Sequence, residues 1–183
     1  MINDWRKITA PLTGDCLESL SSGDRVLLSG VVYAARDRAH QRICQLAENK
    51  QPLPFDPAGQ IIYYMGPSPA PKGKVIGAAG PTTSSRMDPF TEQILKLGVK
   101  GLIGKGRRGH QVREFIAWYG AVYFGTFGGA GAYLAGRIKE SQLIAFEDLG
   151  PEAVYRLRVE DFPLIVVNDM YGGDLYEDVF QNR

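Results

Sequence analysis

Cysteine and histidine are scarce in this 183-residue chain, two of each, and none is spaced for a site of its own. Cys16 and Cys44 stand 28 positions apart, with no CxxC pair and no neighbouring histidine pair. A metal site built from this chain alone is therefore not expected, and two scattered thiols fit a reduced, cytoplasmic compartment. Nothing in the spacing supports a disulfide between them. Charge of one sign is lacking too: 21 Lys and Arg face 20 Asp and Glu, for a net charge of +1. A nucleic-acid binder or a membrane-surface protein would show a basic excess or patch, so neither partner is expected. Long apolar runs are absent, because Gly and charged residues interrupt each one well before the roughly 18–20 residues that a membrane span needs. The first residues carry two basic side chains, Arg6 and Lys7, but no apolar run follows, so no signal peptide is expected.

What is present suits one soluble globular domain over residues 1–183. Hydrophobic residues make up 44% and charged residues 22%, enough apolar material for one sizeable core. Strand-like and helix-like segments alternate. Arg25–Ala35 reads as a buried strand, and residues 36–48 follow with Ala39, Ile43, Leu46 and Ala47 at helical spacing. Gln51–Gly59 is a proline-bearing loop, Ile61–Met65 a short strand, and Pro67, Pro69 and Pro71 impose an irregular connection. Lys74–Ala79 is a further strand candidate. Asp88-Pro89 reads as a cap with proline at the first helical position of a helix reaching about Leu97. Lys100–Ile103 and Ala121–Phe127 read as strands, Gln111–Tyr119 and Ala130–Ile138 as helices. Leu143–Phe146, Tyr155–Val159 and Leu164–Asn168 make a β-rich end, with Gly172-Gly173 as a turn. The expected class is a single α/β domain.

Three segments place charged or hydroxyl side chains where a strand candidate stops, the edge at which α/β sheets bind ligands. In the first, Arg36 and Asp37 open a helix and His40 lies one turn on. Asp37 there could serve only the helix dipole, but Arg36 has the wrong sign for it. In the second, Thr82, Thr83, Ser84 and Ser85 precede Arg86, offering hydroxyls, backbone N–H groups and a guanidinium to an anion. A polar loop ending in a cap is the plainer alternative. In the third, Lys105 lies between Gly104 and Gly106, which add no Cβ to obstruct a ligand. Lys105 is followed by Gly106 and not by Ser or Thr, so this is no phosphate-binding Walker loop. Arg107 and Arg108 read as solvated surface charges, and His110 has nothing at ligand spacing. Gly125–Gly131 lacks dinucleotide-fingerprint spacing and reads as a tight turn with close packing. Two arginines and a lysine at three strand ends suit a guest with two carboxylates.

The segments AARDRAH, GPTTSSRMD and GLIGKG, with the tail LGPEAVYRLRVEDFPLIVVNDMYGGDLY, resemble the C-terminal domain, or separate beta subunit, of iron–sulfur class I fumarase and L-tartrate dehydratase. The resemblance runs from Asp24 to Tyr176, and the Gly-Pro-Thr-Thr-Ser-x-Arg-Met-Asp run is its most specific part. It implies a single swivelling β/β/α three-layer domain and a hydro-lyase acting on a small dicarboxylate, fumarate/malate or L-tartrate. It also implies a [4Fe–4S] cluster with one open iron, carried by an alpha-subunit partner in a hetero-oligomer, the isolated chain having a homodimer as its alternative. By the same resemblance Arg36, Arg86 and Lys105 correspond to substrate-carboxylate binders and Thr82 to the proton-abstracting base. Asp37 and His40 belong to the catalytic Arg-Asp-x-x-His signature, this chain holds no metal ligand, and the general acid comes from the partner. A carboxylate-binding or regulatory module without catalysis is the alternative function, and a bare scaffold would need no such cations.

Overall fold

A computed structural model describes residues 5–181. Residues 1–4, on which part of the leader reading falls, lie outside the described residues, as do 182–183. The elements run β1 (Trp5–Ala10), α1 (Gly14–Glu18), β2 (Arg25–Ala34), α2 (Asp37–Glu48), β3 (Ile61–Tyr63), α3 (Asp88–Lys96), β4 (Gly101–Gly104), α4 (His110–Trp118), β5 (Val122–Gly125), α5 (Gly131–Ala135), β6 (Ile138–Ala145), β7 (Val154–Asn168) and α6 (Leu175–Gln181). The fold is mixed α/β. No helix among the described residues is long and apolar enough to cross a membrane.

The strands form one seven-stranded sheet in the order β1-β2-β3-β4-β5-β7-β6, and an extra pairing joins β2 to β7. β2, β3, β4 and β5 are parallel neighbours, while β7 runs antiparallel to both β5 and β2. The pairings therefore close into a ring of five strands. β7 manages this by its length: Ile165–Asn168 bonds β5, while Tyr155–Ile165 bonds β2. Side chains alternate across the ring, as strand geometry requires. Leu28, Tyr63, Ile103, Phe124, Phe162 and Leu164 fill one core. The opposite faces of β3–β5, through Ile62, Leu102 and Tyr123, meet Ile43 of α2, Ile94 of α3 and Ile116 of α4 in a second.

Several expectations need correction. β2 is not buried on both faces: Val26, Leu28, Val32 and Ala34 point inward while the residues between them stay partly exposed. Lys74–Ala79 forms no strand, although Ile76 and Ala79 still reach the core. The Ala79 carbonyl accepts from the Tyr63 hydroxyl at 2.6 Å, and its N–H donates to the Gly131 carbonyl at 3.0 Å, so this segment is held by single bonds and not by a ladder. Tyr155–Val159 and Leu164–Asn168 belong to one continuous strand, irregular near Asp161. Ile138 begins β6 instead of ending a helix, which stops at Ala135. Asp88 is the first residue of α3 and not its cap. Met87 holds the cap position without a side-chain capping bond, at the end of a 3-10 turn, Ser84–Met87, and the Asp88 carboxylate is occupied elsewhere.

Candidate active site

The parallel strands β2, β3 and β4 deliver three loops to one edge. β2 ends at Ala34, so Arg36 and Asp37 sit at the entrance of α2. The loop after β3 travels through the proline-rich connection and returns: the Thr82 N–H donates to the Tyr64 carbonyl at 2.7 Å, continuing the edge of β3. β4 ends at Gly104, so Lys105 projects from the next strand along. A parallel bridge between Thr83 and Lys105 fastens the second loop to the third.

Arg86 is tied to the first loop. Its Nε donates to Asp37 Oδ1 at 2.8 Å, and its side chain remains 50% exposed. Among the described residues the two terminal nitrogens of that guanidinium have no hydrogen-bond partner, and neither has Lys105 Nζ. Asp37 also lies 3.8 Å from Arg36 Nε, so one carboxylate stands between two guanidiniums. Arg36 is flanked on its other side by Glu152, whose Oε1 is 3.6 Å away and whose Oε2 accepts from the Arg38 N–H at 3.2 Å. Gly66 makes room for it, since a Cβ there would lie 2.9 Å from Arg36 Cδ and 2.6 Å from the Pro151 carbonyl. Arg36, Asp37, Thr82, Arg86 and Lys105 thus share one rim. Lys105 also borders a groove of about 470 Å³ whose walls include Trp5, Phe127 and Tyr176.

His40 lies beneath this rim and not on it. It is 1% exposed, packed edge-on against Tyr64 and beside Phe90. Its Nδ1 is 2.8 Å from the Arg36 carbonyl, which can only accept, so the proton sits on Nδ1. Burial, opposed by that hydrogen bond, pulls its pKa down to about 4, leaving a neutral ring.

Arg108 corrects the expectation of a solvated charge: it is 5% exposed. Its Nε donates to Asp88 Oδ1 at 2.8 Å, Nη1 to the Tyr64 hydroxyl at 3.3 Å and Nη2 to Thr91 Oγ1 at 2.6 Å. The Tyr64 and Tyr123 rings flank it, 5.4 and 5.1 Å from its Cζ. Asp88 and Thr91 lie on α3 and Tyr64 lies just beyond β3, both distant in sequence, so nothing local to Gly-Arg-Arg-Gly announces the burial. Arg107 stays half exposed, near Glu177 and Tyr176. His110 is exposed on α4, 3.6 Å from Glu114. The Gly-rich piece packs closely, as expected: a Cβ on Gly131 would lie 3.1 Å from Gly80 N. Glu152, Ser84 and Tyr123 also belong to this constellation, and no sequence signal marked them individually.

The cysteines do not suit cluster ligation. Both are free thiols, and burial raises the pKa of Cys16 and lifts that of Cys44 to about 11, away from the thiolate that iron requires. Among the described residues no group of three or more His, Cys, Asp or Glu stands where it could hold a metal ion.

The fumarase C-terminus family matches residues 5–179, and the chain belongs to it. Fumarate hydratase 2 of Leishmania major is 40% identical over 156 residues, covering 84% of this chain and 28% of that protein. The putative L(+)-tartrate dehydratase subunit beta of Methanocaldococcus jannaschii is 38% identical over 174 residues, 92% of this chain and 89% of that one. The aerobic class I fumarate hydratase of Escherichia coli is 35% identical over 157 residues, 85% and 29%. The chain spans under a third of these fumarate hydratases and most of the tartrate dehydratase subunit.

Proposed function

We propose that this chain is the beta component of a hydro-lyase that reversibly adds water to a small dicarboxylate, fumarate/malate or L-tartrate. The observation that carries this reading is the rim at the ends of β2–β4, where Arg86 and Lys105 present unpaired donors on the same edge as the Thr82 loop. The similarity to a tartrate dehydratase beta subunit over 89% of its length supports a separate partner subunit. Because the thiols here do not suit a cluster, the [4Fe–4S] cluster is assigned to that partner, as the Lewis acid for the departing hydroxyl. The domain is read as the swivelling β/β/α type, packing its rim against the partner in a hetero-oligomer of the cytoplasm.

Arg86 meets one carboxylate with its two terminal nitrogens, a bidentate contact that fixes both position and plane. Lys105 adds a point charge. Arg36, set between Asp37 and Glu152, contributes positive potential along the same edge. The proton to be removed lies on the carbon next to that carboxylate and is weakly acidic. Cations around the carboxylate stabilise the enolate-like charge that develops as it leaves. Thr82 Oγ1 is assigned as the group that takes it, acting as the alkoxide after its own proton has passed to solvent, with the cations of the rim stabilising that negative charge. Asp37 holds Arg86 through the 2.8 Å bond. His40, neutral and bonded to the Arg36 carbonyl, holds the Arg36 peptide.

Thr82→Val tests this assignment in the complex with the cluster-bearing partner, because it keeps the shape and deletes the hydroxyl. Removing a general base should lower kcat by about 10²–10⁴-fold. Affinity for a dicarboxylate inhibitor should change little, and Thr83→Val should have only a modest effect. A Thr82→Val complex with near-native kcat and a raised KM would make Thr82 a binding hydroxyl. A wild-type complex that binds dicarboxylates without turning them over would favour a carboxylate-binding module.

A further inference from the structure

The loops bearing Arg86 and Lys105 are joined underneath by a buried seam. The Ser84 N–H donates to the Lys105 carbonyl at 2.9 Å, and the Lys105 N–H donates to Ser84 Oγ at 3.0 Å. Ser84 Oγ lies 2.9 Å from the Tyr123 hydroxyl, which itself donates to the Gly106 carbonyl at 2.8 Å. Since Tyr123 spends its only proton on Gly106, Ser84 must be the donor to Tyr123. The bonds run from the Lys105 amide through Ser84 and Tyr123 to the Gly106 carbonyl, beginning on Lys105 itself and ending on the residue after it. Both side chains are fully buried, so neither touches a substrate at the rim. The fit is close: a Cβ on Gly104 would lie 1.9 Å from Ser84 Oγ, and Gly106 turns the chain at φ 84°. Arg108 packs on the Tyr123 ring from below.

We propose that Ser84 and Tyr123 are positioning residues that place the Lys105 ammonium against a substrate carboxylate by clamping the peptide groups on either side of it. The proposal rests on Lys105 being a carboxylate contact. An exposed lysine is a point charge on a flexible four-carbon stem with three donors, so its aim depends on how firmly its backbone is held. Deeper in the fold, Ser84 and Tyr123 supply that hold where the glycines on both sides of Lys105 cannot.

Tyr123→Phe isolates the effect, because it preserves the ring that packs on Arg108 and removes only the hydroxyl. In the complex with the cluster-bearing partner, kcat/KM for L-malate and the Kd of succinate are measured in the wild-type and Lys105→Ala backgrounds. The loss of such a bond should weaken both by about 3–10-fold when Lys105 is present. With Lys105 replaced, Tyr123→Phe should cost nothing further. Ser84→Ala should show the same dependence and decides the matter if Tyr123→Phe does not assemble. A merely structural role would lower the melting temperature and cost the same in both backgrounds. Equal losses in the two backgrounds would overturn the clamp while leaving Lys105 in the site. A silent Lys105→Ala would overturn both. The expected cycle in succinate Kd, in a complex without turnover, would retain the clamp and remove the hydro-lyase reading alone.

Discussion

Arg107 and Arg108 are adjacent, carry the same charge, and should differ several-fold in what they contribute to stability. Arg108→Ala removes a guanidinium whose side chain is fully buried, with donors reaching Asp88, Tyr64 and Thr91. Breaking a buried pair by deleting one member costs about 3–5 kcal/mol. The lower part of that range applies here, because Asp88 keeps a bond from the Gly109 N–H at 3.0 Å and is 22% exposed, so it is not left wholly uncompensated. For a domain of this size about 3 kcal/mol corresponds to a fall in Tm of roughly 6–12 °C. Arg107→Ala removes a half-exposed charge 3.7 Å from Glu177, worth about 0–1 kcal/mol and a few degrees at most. Arg108→Lys should recover only part of the loss, since one ammonium cannot reach acceptors arrayed around a planar fork. Thermal unfolding followed by circular dichroism reads all three variants. Equal, small shifts for Arg107→Ala and Arg108→Ala would refute the buried network and restore both arginines to the solvated surface.

Arg86→Ala should cost about 2–5 kcal/mol in kcat/KM of the assembled complex, as expected for deleting the partner of a desolvated carboxylate. Arg6→Ala, which disturbs a partly exposed ion pair with Asp24 at 3.0 Å, serves as its control, and a loss equal to that of Arg86→Ala would count against the site. His40 sets a pH dependence of stability. Its folded pKa of about 4 lies below the unfolded value of about 6.5, so the unfolded chain binds more protons between them and stability falls as pH drops through that window. The loss should reach about 2 kcal/mol at pH 5 in urea titrations, and His40→Asn, which keeps a donor for the Arg36 carbonyl, should lack that part of the slope.

Local pattern made the middle of the fold legible. α2 has Ala39, Ile43 and Cys44 on one buried stripe, and β3, β4 and β5 are short apolar segments with Gly or Pro nearby. The Lys74–Ala79 error has a different origin. Val, Ile and Ala there satisfy a strand's composition, yet a strand also needs a neighbouring edge, and β3 already offers its edges to β2 and β4. β1 carries no such local pattern, since Trp5–Ala10 shows little apolar continuity. Its place comes from parallel pairing with the first half of β2, a contact between segments 20 residues apart. The ring closure was likewise invisible, since it depends on β7 changing partner between Ile165 and Asn168.

Site legibility divides along a physical line, the direction a polar group faces. Arg36, Thr82, Arg86 and Lys105 stand at strand ends, where the α/β plan gathers ligand-binding groups and where hydroxyls and cations in a loop have no local structural task. The groups underneath carry no such mark. Tyr123 lies in an apolar strand and reads as core, and Ser84 reads as one hydroxyl among four. Arg108 looks like half of a solvated pair. What gives these three their place is that burial forces each polar atom to find a partner: Ser84 and Tyr123 find theirs on the loop that holds Lys105, and Arg108 finds its own on α3 and at Tyr64. Desolvation would penalise Arg108 heavily in isolation, yet it also makes each bond around it directional and costly to break. A rim proposed to offer cationic donors to a substrate cannot spend all of them on holding itself together. The layer below supplies that rigidity, and Asp37 is the point where the two meet, spending one carboxylate oxygen on the Nε of Arg86 while the terminal nitrogens of that guanidinium keep no hydrogen-bond partner among the described residues.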